Sequence, residues 1–387
     1  MKLLVIGFGQ CGGRIADEFV RLGIRARVER KINIITGAFA VNTDVADLTG
    51  LSTIKPDYRH RILIGGQKTG GHGVGKINEL GAEIAREDSD KIIDAIRTTE
   101  QLAETDAFLL IAGAAGGTGS GAIATVTQQL KERYIEKPLY NLIVLPFQHE
   151  EEVEGRTIYN SATCLKSAYL VADAVILIDN QRYISKNFSI RSNLAKINAL
   201  IAEPFYNLLC AGEEKKPQYI GSRILDGGDI IQTLAGWTVI GYSKSQIPRI
   251  KNPFDFREKI SESQRGVQVM NNAISELSLQ CNPADAARGL YLVSAPPKEM
   301  DMNLVKDLGA HLKRIAPEAI IRIGDYPREK ASLNVTVILS ELGGVSKIVA
   351  YFTQTIDLIT AIKKKREGIE VEHRGLEEAF KDIPSLL

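Results

Sequence analysis

The chain has 387 residues, 44% of them hydrophobic and 25% charged, with a formal net charge of +1. At about 150 residues per domain this suggests two or three domains, in a composition ordinary for a soluble chain with a large core. Near-zero net charge gives bulk electrostatics no means of recruiting nucleic acid or an anionic membrane. The four cysteines (Cys11, Cys164, Cys210, Cys281) form no CxxC pair, a pattern of reduced thiols and not of a disulfide framework or zinc site. Strand-like residues begin at Lys2, leaving no room for a signal peptide, and no apolar run reaches membrane-spanning length. A cytoplasmic protein without a transmembrane segment is expected. The five histidines (His60, His72, His149, His311, His373) show no ligand spacing; none is given a role, and no metal site is expected in the chain itself.

Residues 3–6 of LLVIGFGQCGGRIADEF read as a buried strand. Gly7, Gly9 and Gly12 follow at GxGxxG spacing, and a helical pattern begins near Gly13. Such a turn lets the backbone approach a phosphate at a helix N-terminus, for dinucleotides and mononucleotides alike. INIITGAFAVNTD (32–44), HRILIGG (60–66), DAFLLIAGA (106–114), PLYNLIVLPF (138–147) and ADAVILIDN (172–180) are continuous apolar runs, as in strands covered on both faces. Helical patterns such as DKIIDAIRTTEQLAE, GSGAIATVTQQLKERY and EGRTIYNSATCLKSAYL alternate with them. The alternation predicts an α/β fold with a doubly wound, mostly parallel sheet that binds ligands at the carboxyl ends of its strands.

A long central helix is expected from near Ser192, kinked or locally opened at Pro204. After the polar loop KKPQYIGSR come strands at GWTVIGYS, GLYLVSAP, AIIRIGDY and SLNVTVILS, which predict a second, smaller α/β domain. The expected domains are 1–192 for binding, 193–220 for central helix and linker, 221–360 for the second domain, and 361–387 for a charged helix and tail. The run KKKR (363–366) is either a solvated helix end or a contact for an acidic or membrane-linked partner.

The second glycine loop, LLIAGAAGGTGSGAIATV (109–126), is strand, then a glycine run carrying Thr118 and Ser120, then helix. Backbone N–H groups with small hydroxyls at a helix N-terminus make an anion cradle. One pyrophosphate turn suffices for a dehydrogenase; two cradles on two strands of one sheet suit a polyphosphate. A third loop, GGHGVGK, spaces Gly70, Gly75 and Lys76 as a Walker A motif does, but Ile77 stands where Ser or Thr would hold Mg²⁺. It reads as a flexible glycine loop beside a terminal phosphate, and not as a P-loop.

These residues resemble the tubulin/FtsZ superfamily of polymerising GTPases. GQCGGR (Gly9, Gln10, Cys11, Gly12, Gly13, Arg14) is close to tubulin's GQCGNQ, and the GGTGSG run (Gly116, Gly117, Thr118, Gly119, Ser120 and Gly121) is close to its GGGTGSG signature. VNTDVADL, with Asp44, is similar to the ANTD loop of FtsZ. LPFQHEEEVEGRTIYNS matches the ribose-loop pattern PF…EG, which implies a ribose contact for Glu154. LIDNQRY implies a nucleotide contact for Asn180, and INALI implies that Asn198 pairs with the guanine edge. Tubulin-like Cys11 beside FtsZ-like loops most resembles CetZ, the archaeal branch. The resemblance implies a Rossmann-like GTPase domain, GTP/GDP as ligand with Mg²⁺ held mainly through the phosphates, and head-to-tail self-association into filaments serving cell shape or division.

Both asparagines have amides able to read a purine edge, and each is also a residue type that caps helices. No base sits near the glycine loops in sequence. Asp226 and Asp229, at i, i+3 spacing in SRILDGGDIIQTLAG, put two carboxylates on one side of a helix start. They read as helix caps, as catalytic acids or as both; the resemblance implies the family's synergy loop, which orients the attacking water in a neighbouring subunit's pocket. Several positions depart from the family pattern: Ala115 for a glycine, Gly227 and Gly228 between the acids, Ile158 where a basic residue is usual, and the segment PFYNLLCAGEE. Cys11 is expected to be a small packing residue. Two other readings stand beside the first: a nicotinamide-dependent Rossmann oxidoreductase built on Gly7–Gly12, and a GTP-binding regulator that never polymerises.

Overall fold

The computed structural model describes residues 1–184, 190–247, 256–367 and 384–386. In chain order the elements are β1 (Leu3–Phe8), α1 (Gly9–Arg30), β2 (Ile35–Asn42), α2 (Val45–Thr49), β3 (Arg61–Leu63), α3 (Gly66–Thr69), α4 (Asn78–Glu87), α5 (Ser89–Arg97), β4 (Ala107–Gly113), α6 (Thr118–Arg133), β5 (Leu139–Leu145), α7 (Gln148–Val153), α8 (Gly155–Val171) and β6 (Ala174–Asp179). They continue with α9 (Ile190–Ala211), α10 (Gly227–Thr233), β7 (Gly236–Gln246), α11 (Phe256–Ser275), β8 (Ala286–Ser294), α12 (Met302–Ile315), β9 (Ile320–Asp325), β10 (Ser332–Leu342) and α13 (Ser346–Glu367). Each strand expected from the sequence falls on one of these. The chain forms two compact units: Leu3–Arg21 with Ile35–Ala199 and Val345–Leu387, and Met1–Lys2 with Leu22–Ile34 and Leu200–Gly344.

In the first unit the strands run parallel in the order β3-β2-β1-β4-β5-β6. β1, β5 and β6 are buried at every residue, and β4 at all but Gly113, which is why their sequences are apolar without alternation. From β1 the chain winds outward to β2 and β3; from β4 it winds the other way to β5 and β6. The loops leaving β1 and β4 therefore diverge and leave a crevice at their carboxyl ends. α1 lies so close to this pair that a Cβ on Gly12 would stand 2.0 Å from the Ile111 carbonyl oxygen of β4. α13 packs on α8, and residues 384–386 return to the same unit. Leu386 is buried there: its N–H donates to Ser167 Oγ (2.9 Å), and its carbonyl accepts from Arg86 (3.1 Å). The side chains of the 363–366 run lie outside the described residues.

The second unit holds a four-stranded sheet, β7-β10-β8-β9, with β10 antiparallel to both neighbours and β9 parallel to β8. α11 covers β7 and β10 and packs on α12. Pro204 lies inside α9, which continues to Ala211. The unusual PFYNLLCAGEE segment has a packing role. Tyr206 lies under the Arg25 and Arg30 guanidinium groups (3.9 and 4.1 Å), and Asn207 Oδ1 accepts from buried Arg30 at 2.7 Å. Arg30 also donates to the Tyr326 hydroxyl at 3.0 Å, so this buried cation is held by polar acceptors and ring faces.

Candidate functional site

A cavity of about 580 Å³ opens at the carboxyl edge of the first unit's sheet. Its lining follows the strand order, from Asn42 at β2 through the loops after β1, β4 and β5 to Asn180 after β6. Five neighbouring strands at their usual spacing extend over about 19 Å, enough for a ligand with an ionic and an apolar end. A larger cavity, about 920 Å³, lies in the second unit beside α11 and α12, but its lining of mixed charges contains no glycine. Chemistry selects the smaller one.

The ionic end is built where α1 and α6 begin. The first N–H groups of each helix lack intrahelical partners and carry the positive end of the helix dipole. Gly9, at φ +65°, lets the two turns touch: a Cβ there would lie 3.1 Å from Gly119 N. The second glycine run divides its labour. A Cβ on Gly117 would meet Val74 Cγ2 at 2.5 Å, and one on Gly119 would meet the Phe8 carbonyl oxygen at 2.9 Å; one on Gly116 would meet nothing within 4 Å. Gly116 is therefore the open rim of a cradle that Gly117 and Gly119 hold from behind. Thr118 shares a 2.6 Å hydrogen bond with Thr43.

Gly9, Gln10, Cys11, Arg14, Asp44, Gly116, Gly117, Thr118, Gly119, Asn180 and Asn198 all line the cavity. Gly12, Gly13 and Ser120 do not; Gly12 permits the α1–β4 contact, and buried Ser120 donates to the Gly116 carbonyl. Glu154 is also absent from the lining and instead binds Lys76 Nζ at 2.6 Å. Asp44 caps α2 by accepting from Asp47 N at 3.1 Å. Cys11 is half-buried, and burial pushes its thiol up to about 12, with Glu150 adding and Arg14 opposing. It is a neutral wall residue at physiological pH.

The apolar end follows β5, whose last residues Val144 and Leu145, with Pro146 and Phe147 after them, line the cavity together with Leu194 and Ile197 of α9. The alternative capping role fits neither amide here. The turn at Asn180 is capped by Asp179, which accepts from Gln181 N at 3.1 Å, and Asn198 sits in the middle of α9.

Several lining residues are not expected from the sequence. Asn42 and Gln10 both donate to Asp47 (3.1 and 2.6 Å), Glu150 accepts from Phe147 N at 2.9 Å, and His149, given no role, stacks on Phe147 with centroids 5.5 Å apart. Carboxylates from other loops thus stand on the cavity wall, although none sits near the glycine loops in sequence. The motif VNTD and the PF pair mark their neighbourhood in sequence, but only folding converges them.

Asp226 and Asp229 belong to the second unit and form a reciprocal cap at the start of α10. Asp226 Oδ1 accepts from Asp229 N at 2.9 Å, and Asp229 Oδ2 accepts from Asp226 N at 3.4 Å. Asp229 Oδ1 also accepts from Arg322 at 2.7 Å, so both its oxygens are engaged, while the Asp226 side chain is exposed. The loop entering α10 is tied down by buried Asp325, which accepts from Ser222 N at 3.0 Å and from Arg223 N.

The model of the tubulin/FtsZ family GTPase domain matches residues 2–186, and that of the tubulin-like CetZ C-terminal domain matches residues 187–357. Tubulin-like protein CetZ1 of Haloferax volcanii is 34% identical over 365 residues, covering 90% of this chain and 89% of that protein. Among solved structures, the GDP-bound monomer of Haloferax volcanii CetZ1 matches with a TM-score of 0.79 at 30% identity, over 93% of this chain and all of that one. The GTPγS-bound protofilament of CetZ2 from the same organism matches with a TM-score of 0.80 at 26% identity, over 94% of this chain and all of that one.

Proposed function

The chain belongs to the tubulin/FtsZ family, among its CetZ proteins, and from that premise we propose that it binds and hydrolyses GTP and polymerises head to tail as a cytoplasmic cytoskeletal filament. The observation that carries this reading is the pair of glycine-opened helix N-termini, α1 and α6, facing one cavity that also has an apolar stretch, Val144 to Phe147 with Leu194 and Ile197, and the amides of Asn180 and Asn198. Gly9, Gln10, Gly116, Thr118 and Gly119 take the phosphates by backbone N–H and hydroxyl groups, with Arg14 adding charge. Gly12, Gly13, Gly117 and Ser120 keep the loops in shape. Phe147, Leu194 and Ile197 cover the base, and Asn180 and Asn198 read its edge. Glu154, which the family pattern puts on the ribose, would have to leave Lys76 to reach it.

Among the described residues no group of three or more His, Cys, Asp or Glu is arranged to hold a metal. Mg²⁺ would be held mainly through phosphate oxygens and would there neutralise charge developing in the transition state. Asp226 and Asp229 lie in the unit without the glycine loops, which supports a role in a neighbouring copy's pocket, where they orient the attacking water. Among the described residues no helix is long and apolar enough to cross a membrane.

Calorimetric titration with GTP, ATP and NAD tests the ligand. GTP should bind with Mg²⁺ and be preferred to both others, and Asn198→Ala should erode the preference for guanine more than the affinity for phosphate. Equal affinity for ATP and GTP would defeat the guanine assignment, and tight NAD binding would restore the oxidoreductase reading.

A further inference from the structure

β9 is the last strand in the order β7-β10-β8-β9, and the stretch that leads into α10 is fastened to it at three points. The buried carboxylate of Asp325 accepts from Ser222 N and Arg223 N, and the Asp325 N–H donates to the Arg223 carbonyl at 3.1 Å. A Cβ on Gly324 would lie 2.7 Å from Leu225 Cβ, so the glycine leaves room that buried Leu225 fills. Arg322 reaches the helix itself: Nη1 donates to Asp229 Oδ1 at 2.7 Å, and Nη2 donates to the side-chain oxygen of Gln232.

The helix does not need Arg322 for its own sake. Its start is satisfied by the reciprocal cap of Asp226 and Asp229, and its last turn is held by Arg288, which donates to the Gln232 carbonyl at 2.7 Å. The Arg322 side chain is 34% exposed, and a partly exposed ion pair contributes little to stability. What the guanidinium changes is charge and orientation. Two unmatched carboxylates brought up to a polyphosphate are each repelled by it. With Arg322 on Asp229, one of the two charges is matched, and only the exposed Asp226 carboxylate lacks an ion pair. The planar guanidinium spans Asp229 and Gln232, which fixes the direction of the Asp229 carboxylate as a single flexible ammonium would not.

We propose that Arg322 is a positioning residue for the shared site: it orients the Asp229 carboxylate and offsets its charge, so that the acid loop meets a neighbouring copy's triphosphate with one unmatched carboxylate instead of two. This rests on the reading of Asp226 and Asp229 as acting in a neighbouring copy's pocket. Arg322 itself touches no nucleotide; it acts through Asp229.

The test compares the unmodified full chain with Arg322→Gln and Arg322→Lys, measuring GTP turnover against protein concentration and GTPγS affinity by calorimetry. Arg322→Gln removes the charge at a partly exposed position, so the variant should fold and bind GTPγS within about twofold of the unmodified protein. Its turnover should fall roughly tenfold at low salt, and Arg322→Lys, which keeps the charge, should recover most of that loss. Repulsion is screened by salt, with a screening length of about 10 Å at 0.1 M and about 3 Å at 1 M. The ratio of unmodified to Arg322→Gln turnover should therefore shrink as salt rises, which loss of a purely structural contact would not produce. Unchanged turnover in Arg322→Gln would overturn the proposal. So would a deficit that salt leaves constant and that Arg322→Lys shares, since Arg322 would then only hold α10 in place. Specific activity of the unmodified protein that stays flat on dilution would instead remove the reading of a shared site, and the proposal with it.

Discussion

Asp226 and Asp229 cap the same helix, yet only Asp229 is ion-paired, to Arg322 at 2.7 Å. That asymmetry separates capping from catalysis. Asparagine is as good an N-cap as aspartate, so Asp226→Asn should leave denaturant stability within about 0.5 kcal/mol. If Asp226 orients water, GTP turnover should still fall at least about tenfold, or about 1.4 kcal/mol of transition-state stabilisation, with nucleotide affinity retained. Asp229→Ala should cost about 1 kcal/mol of stability as well, because it removes a cap partner and the ion pair to Arg322. Normal hydrolysis by Asp226→Asn would make that residue a cap and nothing more. At this scale the sequence spoke clearly for residues whose role is backbone shape, such as Gly9 and Gly116. It gave no role to Asp47 and His149, whose place on the cavity wall depends on separate loops converging.

The elements were legible where burial is two-sided. β1, β4, β5 and β6 are covered on both faces, so their sequences announce them, and the two glycine runs mark the ends of β1 and β4 because the backbone must come close there. The division of labour within those runs was not legible, since spacing alone does not say which side of a glycine is crowded. A Cβ on Gly12 would lie 2.0 Å from a β4 carbonyl oxygen, whereas one on Gly116 would meet nothing within 4 Å. Gly12→Ala should therefore destabilise the first unit by about 3 kcal/mol, by forcing α1 off the sheet. Gly116→Ala should leave stability within about 0.5 kcal/mol and weaken nucleotide binding. Chemical denaturation checks the first pair of values and calorimetry the second; equal stability losses would contradict the assignment of Gly116 to the open rim. The docking of the tail was not legible for a similar reason. Its charge run reads as a solvated helix end or a partner contact, and nothing in its composition shows that Leu386 is buried against Ser167 and Arg86.

For the whole molecule, the glycine loops and the paired acids belong to different compact units. A contact that presents one copy's acids to the next copy's cradle is heterologous, and a heterologous contact that does not close into a ring generates an open filament. The most direct measurement is the GTPase activity of a mixture of two variants. Asp226→Asn keeps an intact cradle and lacks the acid; Gly116→Val fills the cradle's open rim and keeps both acids. Each alone should hydrolyse GTP poorly at any concentration. Mixed at a concentration where the unmodified protein is active, they should hydrolyse it well above the sum of the two, because an intact cradle then meets intact acids across the contact. Activity equal to that sum, together with specific activity of the unmodified protein that stays flat on dilution, would mean that each chain completes its own site.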